Sequence, residues 1–262
     1  MAMPQISICI CSMNAADTIG ATCASVKDWA DEIVVIDSGS TDDTVKIAEG
    51  YGARIVHQEW LGYAEQKIFA MPLMKNDWVL IVDSDEEVSP ELAKEIQRFT
   101  DEQLAGLDLV YMPRHNWVMG RYVRAWSPDW QSRLIHRDRV SWPKEALHDA
   151  RVPNDPSRTM RLSGWLEHKR VSAADFEDYF SGRRHDERLM MVAQQMYDRG
   201  KRANVTHLVL RPWVAFFKYY VLKRGFLDGT FGLMIAQKAA LSVQLKYAAL
   251  WAIEHQDALK GG

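Results

Sequence analysis

Residues 34–44 read Val-Val-Ile-Asp-Ser-Gly-Ser-Thr-Asp-Asp-Thr: an apolar run that stops at Asp37, a turn of small polar residues, and a helix start carrying Asp42 and Asp43. The run fits a strand buried on both faces. Ser40 or Thr41 is suited to cap the helix that follows, and the two acids complement its dipole. Asp37 is not explained by capping. A carboxylate at the end of a buried strand needs donors, and the imide N–H of a nucleobase is one.

Outward from this segment the same alternation repeats. Residues 6–11, 32–37, 53–58 and 78–83 are short apolar runs, with helical patterns from about Asp17, from Thr41, and from Ala64 to Met74. Strands alternating with helices specify an α/β class with a doubly wound, mainly parallel sheet, whose ligands bind beyond the carboxyl ends of the strands. Two of the runs end there in aspartate, Asp37 and Asp83. Ser89-Pro90 predicts the N-cap and first turn of a helix to about Phe99, before a strand near 108–113. From 114 to 170 the alternation stops and Trp, Arg, His and Pro accumulate, which predicts loops and short strands around a site. Two long helical patterns, about 173–199 and 205–255, form a C-terminal helical extension, so the expected domains are 1–170 and 171–262.

Asp83-Ser84-Asp85-Glu86-Glu87 places four carboxylates within five positions. Like charges this close repel, so a cation or solvent must compensate. Hard oxygen ligands at a strand end suit Mg²⁺ or Mn²⁺ bridging a diphosphate. For an Asp-x-Asp alone, an acidic turn leading into the next helix is the competing reading.

The formal net charge of −3 gives the whole chain no attraction for nucleic acid, so nucleic acid is not an expected partner. Cys9, Cys11 and Cys23 are odd in number and lack Cys-x-x-Cys spacing, which argues against a disulfide framework or a zinc site. The first residues lack a basic segment followed by a sustained apolar stretch, and Arg211, Lys218, Lys223, Lys238 and Lys246 interrupt the most apolar region. The expectation is a cytoplasmic protein without a spanning helix.

Six segments, Ser7-Ile-Cys-Ile-Cys-Ser-Met-Asn14, 32–44, 60–67, 77–87 and, more loosely, 127–134 and 146–149, resemble the family 2 inverting glycosyltransferases, which share the GT-A fold. Lys223-Arg-Gly-Phe-Leu-Asp-Gly229 is similar to a segment of the bacterial lipopolysaccharide core-biosynthesis glucosyltransferases within that family. The resemblance implies a metal-dependent transferase moving a sugar, glucose foremost, from a UDP-sugar donor to a glycan or glycolipid acceptor. It implies that Asp37 meets the uracil, Lys67 lies near the nucleotide, Asp83 lies near the ribose or metal, and Asp85 binds the metal. Inverting transfer needs a base for the acceptor hydroxyl and help for the departing diphosphate. Asp129, in Pro128-Asp-Trp-Gln-Ser-Arg-Leu134, stands where relatives carry the base at the opening of a helix, and Asp149 is the second candidate. His148 is a candidate metal ligand, His168 a lesser one, and Arg133 could orient the base or meet a phosphate. Met13, Ala15 and Ile68 depart from residues frequent in the family.

Two other classes fit the sequence less well. Nucleotidyl transfer to a sugar phosphate usually carries a Gly-rich basic loop near the N-terminus, which residues 6–18 lack. A catalytically inactive nucleotide-sugar-binding scaffold would have no reason to keep Asp37, Asp83, Asp85 and Asp129 together. Residues 201–260 carry nine basic residues against three acidic, beside Trp213, Phe216, Phe217, Tyr219 and Tyr220. This pattern predicts either contact with an anionic membrane surface, on the cytoplasmic face of the inner membrane, or aromatics packed on the catalytic domain with solvated bases.

Overall fold

The computed structural model describes residues 4–118, 120–143, 151–170 and 183–255. The chain forms two compact units: Met1–His115 with Pro128–Lys169, and Asn116–Ser127 with Arg170–Gly262.

In the first unit the four apolar runs are strands, β1 (Ile6–Ser12), β2 (Glu32–Asp37), β3 (Arg54–His57) and β4 (Trp78–Asp83). They are joined through α1 (Ile19–Ala24), α2 (Thr44–Gly50) and α3 (Tyr63–Ala70). Then come β5 (Glu86–Val88), α4 (Pro90–Gln97), α5 (Asp101–Ala105), β6 (Leu109–Val118, whose last residues from Asn116 belong with the second unit), β7 (Arg121–Tyr122, also of the second unit) and β8 (Asp129–His136). The short strands β9 (Val140–Ser141), β10 (Val152–Pro153), β11 (Thr159–Arg161) and β12 (Leu166–Arg170) follow.

The main sheet runs β3-β2-β1-β4-β8-β6-β12-β5. The first four strands are parallel, as an alternating strand–helix pattern requires, while β8 is antiparallel to both β4 and β6. Both faces of the parallel half are covered. Ile8 and Ile10 of β1 join Leu80 and Val82 on one face, and Cys9 joins Val34, Ile36 and Ile81 on the other. This is why these strands read as continuous apolar runs instead of alternating ones. The three cysteines are free, and burial pushes the Cys23 thiol up to about 11. Ser89 caps α4 by accepting from Leu92 N, with Pro90 in the first turn.

The second unit contains α6 (Arg183–Asp198), α7 (Val205–Phe217) and α8 (Gly229–Glu254). The expected helix over 173–199 is present as α6 in its described part; residues 171–182 lie outside the described residues. The single helix expected over 205–255 is a correction. Arg224 adopts a left-handed conformation, Gly225 is buried against the Tyr219 carbonyl, and a Cβ on Gly232 would collide with the Gly225 oxygen. The glycines of Lys223–Gly229 and the following turn therefore fold the chain back so that α8 packs along α7. Ala193, Tyr247, Leu250 and Ile253 form one core of this unit, and Val118, Val123, Ala125 and Ile235 another.

Candidate functional site

The parallel register brings Ser12 beside Asp37 and Cys11 beside Asp83, at the carboxyl ends of β1, β2 and β4. This rim is where a doubly wound sheet binds ligands. The loop after β1 is tied to the turn after β2: Asn14 N donates to Ser40 Oγ at 2.9 Å, Asn14 Oδ1 accepts from Thr41 N at 2.8 Å, and Ala15 N donates to Thr44 Oγ1 at 2.7 Å.

Asp37 finds its donors inside this turn. Its Oδ2 accepts from the backbone N–H groups of Gly39 and Ser40, both at 3.0 Å, and its Oδ1 accepts from Ser40 Oγ. Gly39, at φ +94°, holds a conformation that suits glycine and turns these N–H groups toward the carboxylate. Asp37 therefore does not depend on an external donor, contrary to expectation: three acceptor positions of about four are occupied by its own turn. The capping expectation is corrected too. Ser40 and Thr41 are engaged with Asp37 and Asn14, α2 starts at Thr44, and Asp42 Oδ1 accepts from Thr44 N at 3.1 Å.

The carboxylates of 83–87 disperse to separate partners. Arg133 grips Asp83 with both terminal nitrogens and also donates to Glu86 Oε1 at 2.6 Å, and Lys67 Nζ lies 3.2 Å from Asp83 Oδ1. His168 Nε2 meets Asp85 Oδ2 at 3.1 Å, and Lys169 Nζ meets Glu87 at 2.9 Å. Arg114 bridges Glu86 Oε1 at 3.0 Å and Asp129 Oδ2 at 2.7 Å. A continuous ladder results, Lys67–Asp83–Arg133–Glu86–Arg114–Asp129, and the compensating cations required by the acidic run are supplied largely by arginines. Burial would raise the Asp83 pKa, but Arg133 and Lys67 outweigh it and hold the carboxyl well below the usual range. Arg114 is likewise shifted. Burial opposes its charge, and Glu86 more than restores it, so its pKa is raised.

Arg133 is almost wholly buried and Glu86 entirely so. Arg133→Met leaves Glu86 with less charge compensation and Asp83 with Lys67, a loss that in buried pairs costs about 3 kcal/mol or more. Denaturant unfolding at neutral pH checks this. The sign of the pH effect follows from the depressed Asp83 pKa. Its contribution is fully present above the unfolded value of about 3.9 and is lost as pH falls through the lower native value. The variant is therefore expected to unfold at higher pH than the parent on acidification.

Asp129 opens β8, opposite Arg114 of β6, so it does not open a helix as the resemblance implied. The chain from Asp129 to His136 pairs with β6 on one side and β4 on the other, which fixes it as strand. Arg114 Nη2 and Gln131 Nε2 both donate to Asp129 Oδ2, at 2.7 and 2.8 Å, while the side chain stays 43% exposed. Gln66 of α3 ties the rim to its neighbours, donating to Ser38 Oγ and to the Gln58 carbonyl at 3.1 Å each. Asp37, Lys67, Asp83 and Asp85 thus share one end of the sheet, and Asp129 joins them through Arg133, Glu86 and Arg114. His148 and Asp149 lie outside the described residues. Glu86 and Arg114 were missed as site residues. Arg114, a charged residue directly after the apolar run at the start of β6, was the available signal.

Among the described residues no three metal-ligating side chains converge. The donor chemistry nonetheless fits a hard divalent ion. Asp85 presents a carboxylate 38% exposed at the rim, and a diphosphate-bound ion of this kind takes as few as one or two protein carboxylates, with phosphate and water oxygens completing the shell.

Comparison with known proteins gives the family. A family model described as Glycosyl transferase family 2 matches residues 7–154. An uncharacterized glycosyltransferase of Rickettsia bellii is 30% identical over 94% of this chain and 86% of its own. The lipopolysaccharide core biosynthesis glycosyltransferase LpsC of Rhizobium meliloti is 26% identical over 94% of each chain. With an uncharacterized glycosyltransferase of Rickettsia felis the identity is 50%, over 36% of this chain and 34% of that protein, so that match spans about a third of its length.

Proposed function

Because the chain belongs to glycosyl transferase family 2, we propose that it is an inverting hexosyltransferase that uses a UDP-sugar, with glucose the first candidate, and a glycolipid or core-oligosaccharide hydroxyl as acceptor. The observation that carries the reading is the gathering of Asp37, Lys67, Asp83 and Asp85 at the carboxyl rim of the sheet, linked by the charge ladder to Asp129. The full-length likeness to LpsC supports the acceptor class.

In this mechanism the remaining acceptor position of Asp37 takes the uracil imide N–H. Lys67 and the bidentate Arg133 fix Asp83 against the ribose side of the nucleotide. Asp85, with His148 as a further candidate, would hold Mg²⁺ or Mn²⁺, which when bound neutralises charge on the diphosphate. Both donors to Asp129 converge on Oδ2, so Oδ1 takes the proton of the acceptor hydroxyl. The acceptor oxygen, having given its proton to Oδ1, forms the new bond to the anomeric carbon as the bond from that carbon to the UDP oxygen breaks, and the configuration inverts. Arg114 holds Asp129 in place through its 2.7 Å ion pair to Oδ2. Asp149 is the alternative base.

The test is release of UDP from a panel of UDP-sugars, with Mg²⁺, with Mn²⁺ and with chelator. We expect release from at least one UDP-sugar and its loss on chelation. Pyrophosphate formation from a nucleoside triphosphate and a sugar 1-phosphate, without UDP release, would instead identify nucleotidyl transfer.

A further inference from the structure

Along α7, Val205, Val209, Trp213 and Phe217 recur every four residues, and Val221 continues the row. Side chains four apart lie one above the other on one helical face. This face is uncovered: Trp213 is 69% exposed and Phe217 54%, with Leu210, Val214 and Leu222 exposed beside them. An apolar trough of about 560 Å³, lined in part by Leu208, Pro212 and Leu241, adjoins Trp213. A contiguous apolar surface of this kind marks an interaction site, not ordinary surface scatter.

The flanking charges are of one sign. Residues 205–227 contain Arg211, Lys218, Lys223 and Arg224 and no acid. Lys218, Lys223 and Arg224 are exposed and cluster where α7 ends, with Lys223 Nζ 5.0 Å from the Tyr219 ring centre. We propose that this face of α7 lies in the surface of an anionic lipid bilayer, with Trp213 and Phe217 at the level of the headgroup–acyl boundary and the basic cluster on the lipid phosphates. α7 has 13 residues, about 20 Å of helix, against a hydrocarbon core of about 30 Å. No helix among the described residues is long and apolar enough to cross a membrane. The arrangement is therefore in-plane. A second copy is a poorer occupant, because two-fold pairing of this face would set the Lys218–Arg224 cluster against its own copy if the helices run parallel, and against the exposed Lys201 and Arg202 if they run antiparallel.

Flotation of the full chain with vesicles of phosphatidylcholine, alone or mixed with phosphatidylglycerol, tests this. Bound protein should rise with the anionic fraction and fall at high salt. Lys218→Gln with Lys223→Gln and Arg224→Gln should lower partitioning to anionic vesicles at least about tenfold. Trp213→Ser with Phe217→Ser should lower it comparably while UDP release from the donor is unchanged. Lipid-charge and salt dependence of the parent chain decide the matter by themselves should a variant misfold. Binding indifferent to lipid charge, no binding, or a dimer in solution that Trp213→Ser dissociates would each overturn the proposal.

Discussion

Asp129→Asn is expected to lower sugar transfer by about two orders of magnitude or more while leaving UDP-sugar affinity nearly unchanged, the size typical for loss of a general base. The substitution keeps the shape and an oxygen that can accept from Arg114 and Gln131, so the β6–β8 pairing at this point is preserved. It removes only the charge that makes Oδ1 a base. Arg114 keeps Glu86 as an anionic partner, and the Asp129 side chain is part-exposed, so the cost in stability is small. The separation of transfer from binding, by single-turnover kinetics and donor calorimetry, is the informative result. If Asp149→Asn shows that pattern and Asp129→Asn does not, the base is Asp149 and the ladder serves to hold the rim.

Asp85→Ala is expected to abolish the metal-dependent part of donor binding. Asp83 is already held by Arg133 and Lys67, so Asp85 is the rim carboxylate with the greater freedom to serve an ion. The folded state should persist, because removing Asp85 relieves repulsion with Asp83, and Asp85 itself is 38% exposed, so water can reach the place of its contact with the buried His168. Titration of UDP with and without Mn²⁺ measures the effect. A folded variant whose affinity still rises with Mn²⁺ to the parental extent would remove Asp85 from the metal site.

The parallel half of the sheet was legible in sequence because its strands are buried on both faces and announce themselves as Val/Ile runs. Residues 32–37 and 78–83 match β2 and β4 at both ends. The placement of Asp37 and Asp83 at the rim followed from their position at the ends of those runs. What joins them did not follow. Arg133 and Glu86 are 47 residues apart, and Arg114 and Glu86 are 28 apart, so no local periodicity reports their contacts. The environment of Asp37 was misjudged for a local reason: the donors come from its own turn, where Gly39 and Ser40 fold back on the carboxylate. Asp129 was placed at a helix start by resemblance, whereas pairing of β8 with two neighbours makes it strand. The break between α7 and α8 was concealed by continuous apolar composition. It rests on glycines that admit a backbone oxygen where any side chain would collide.

The anomeric configuration of the product distinguishes single displacement from a retaining route. The chain is incubated with UDP-glucose, Mn²⁺ and a core-oligosaccharide acceptor, and the new linkage is read by proton NMR alongside UDP release. The account predicts UDP release stimulated by the acceptor and a β-linked glucose formed from the α-linked donor. An α-linked product would contradict single displacement by the Asp129-activated hydroxyl, and acceptor-independent behaviour with no glycoside formed from any UDP-sugar would contradict the transferase reading itself.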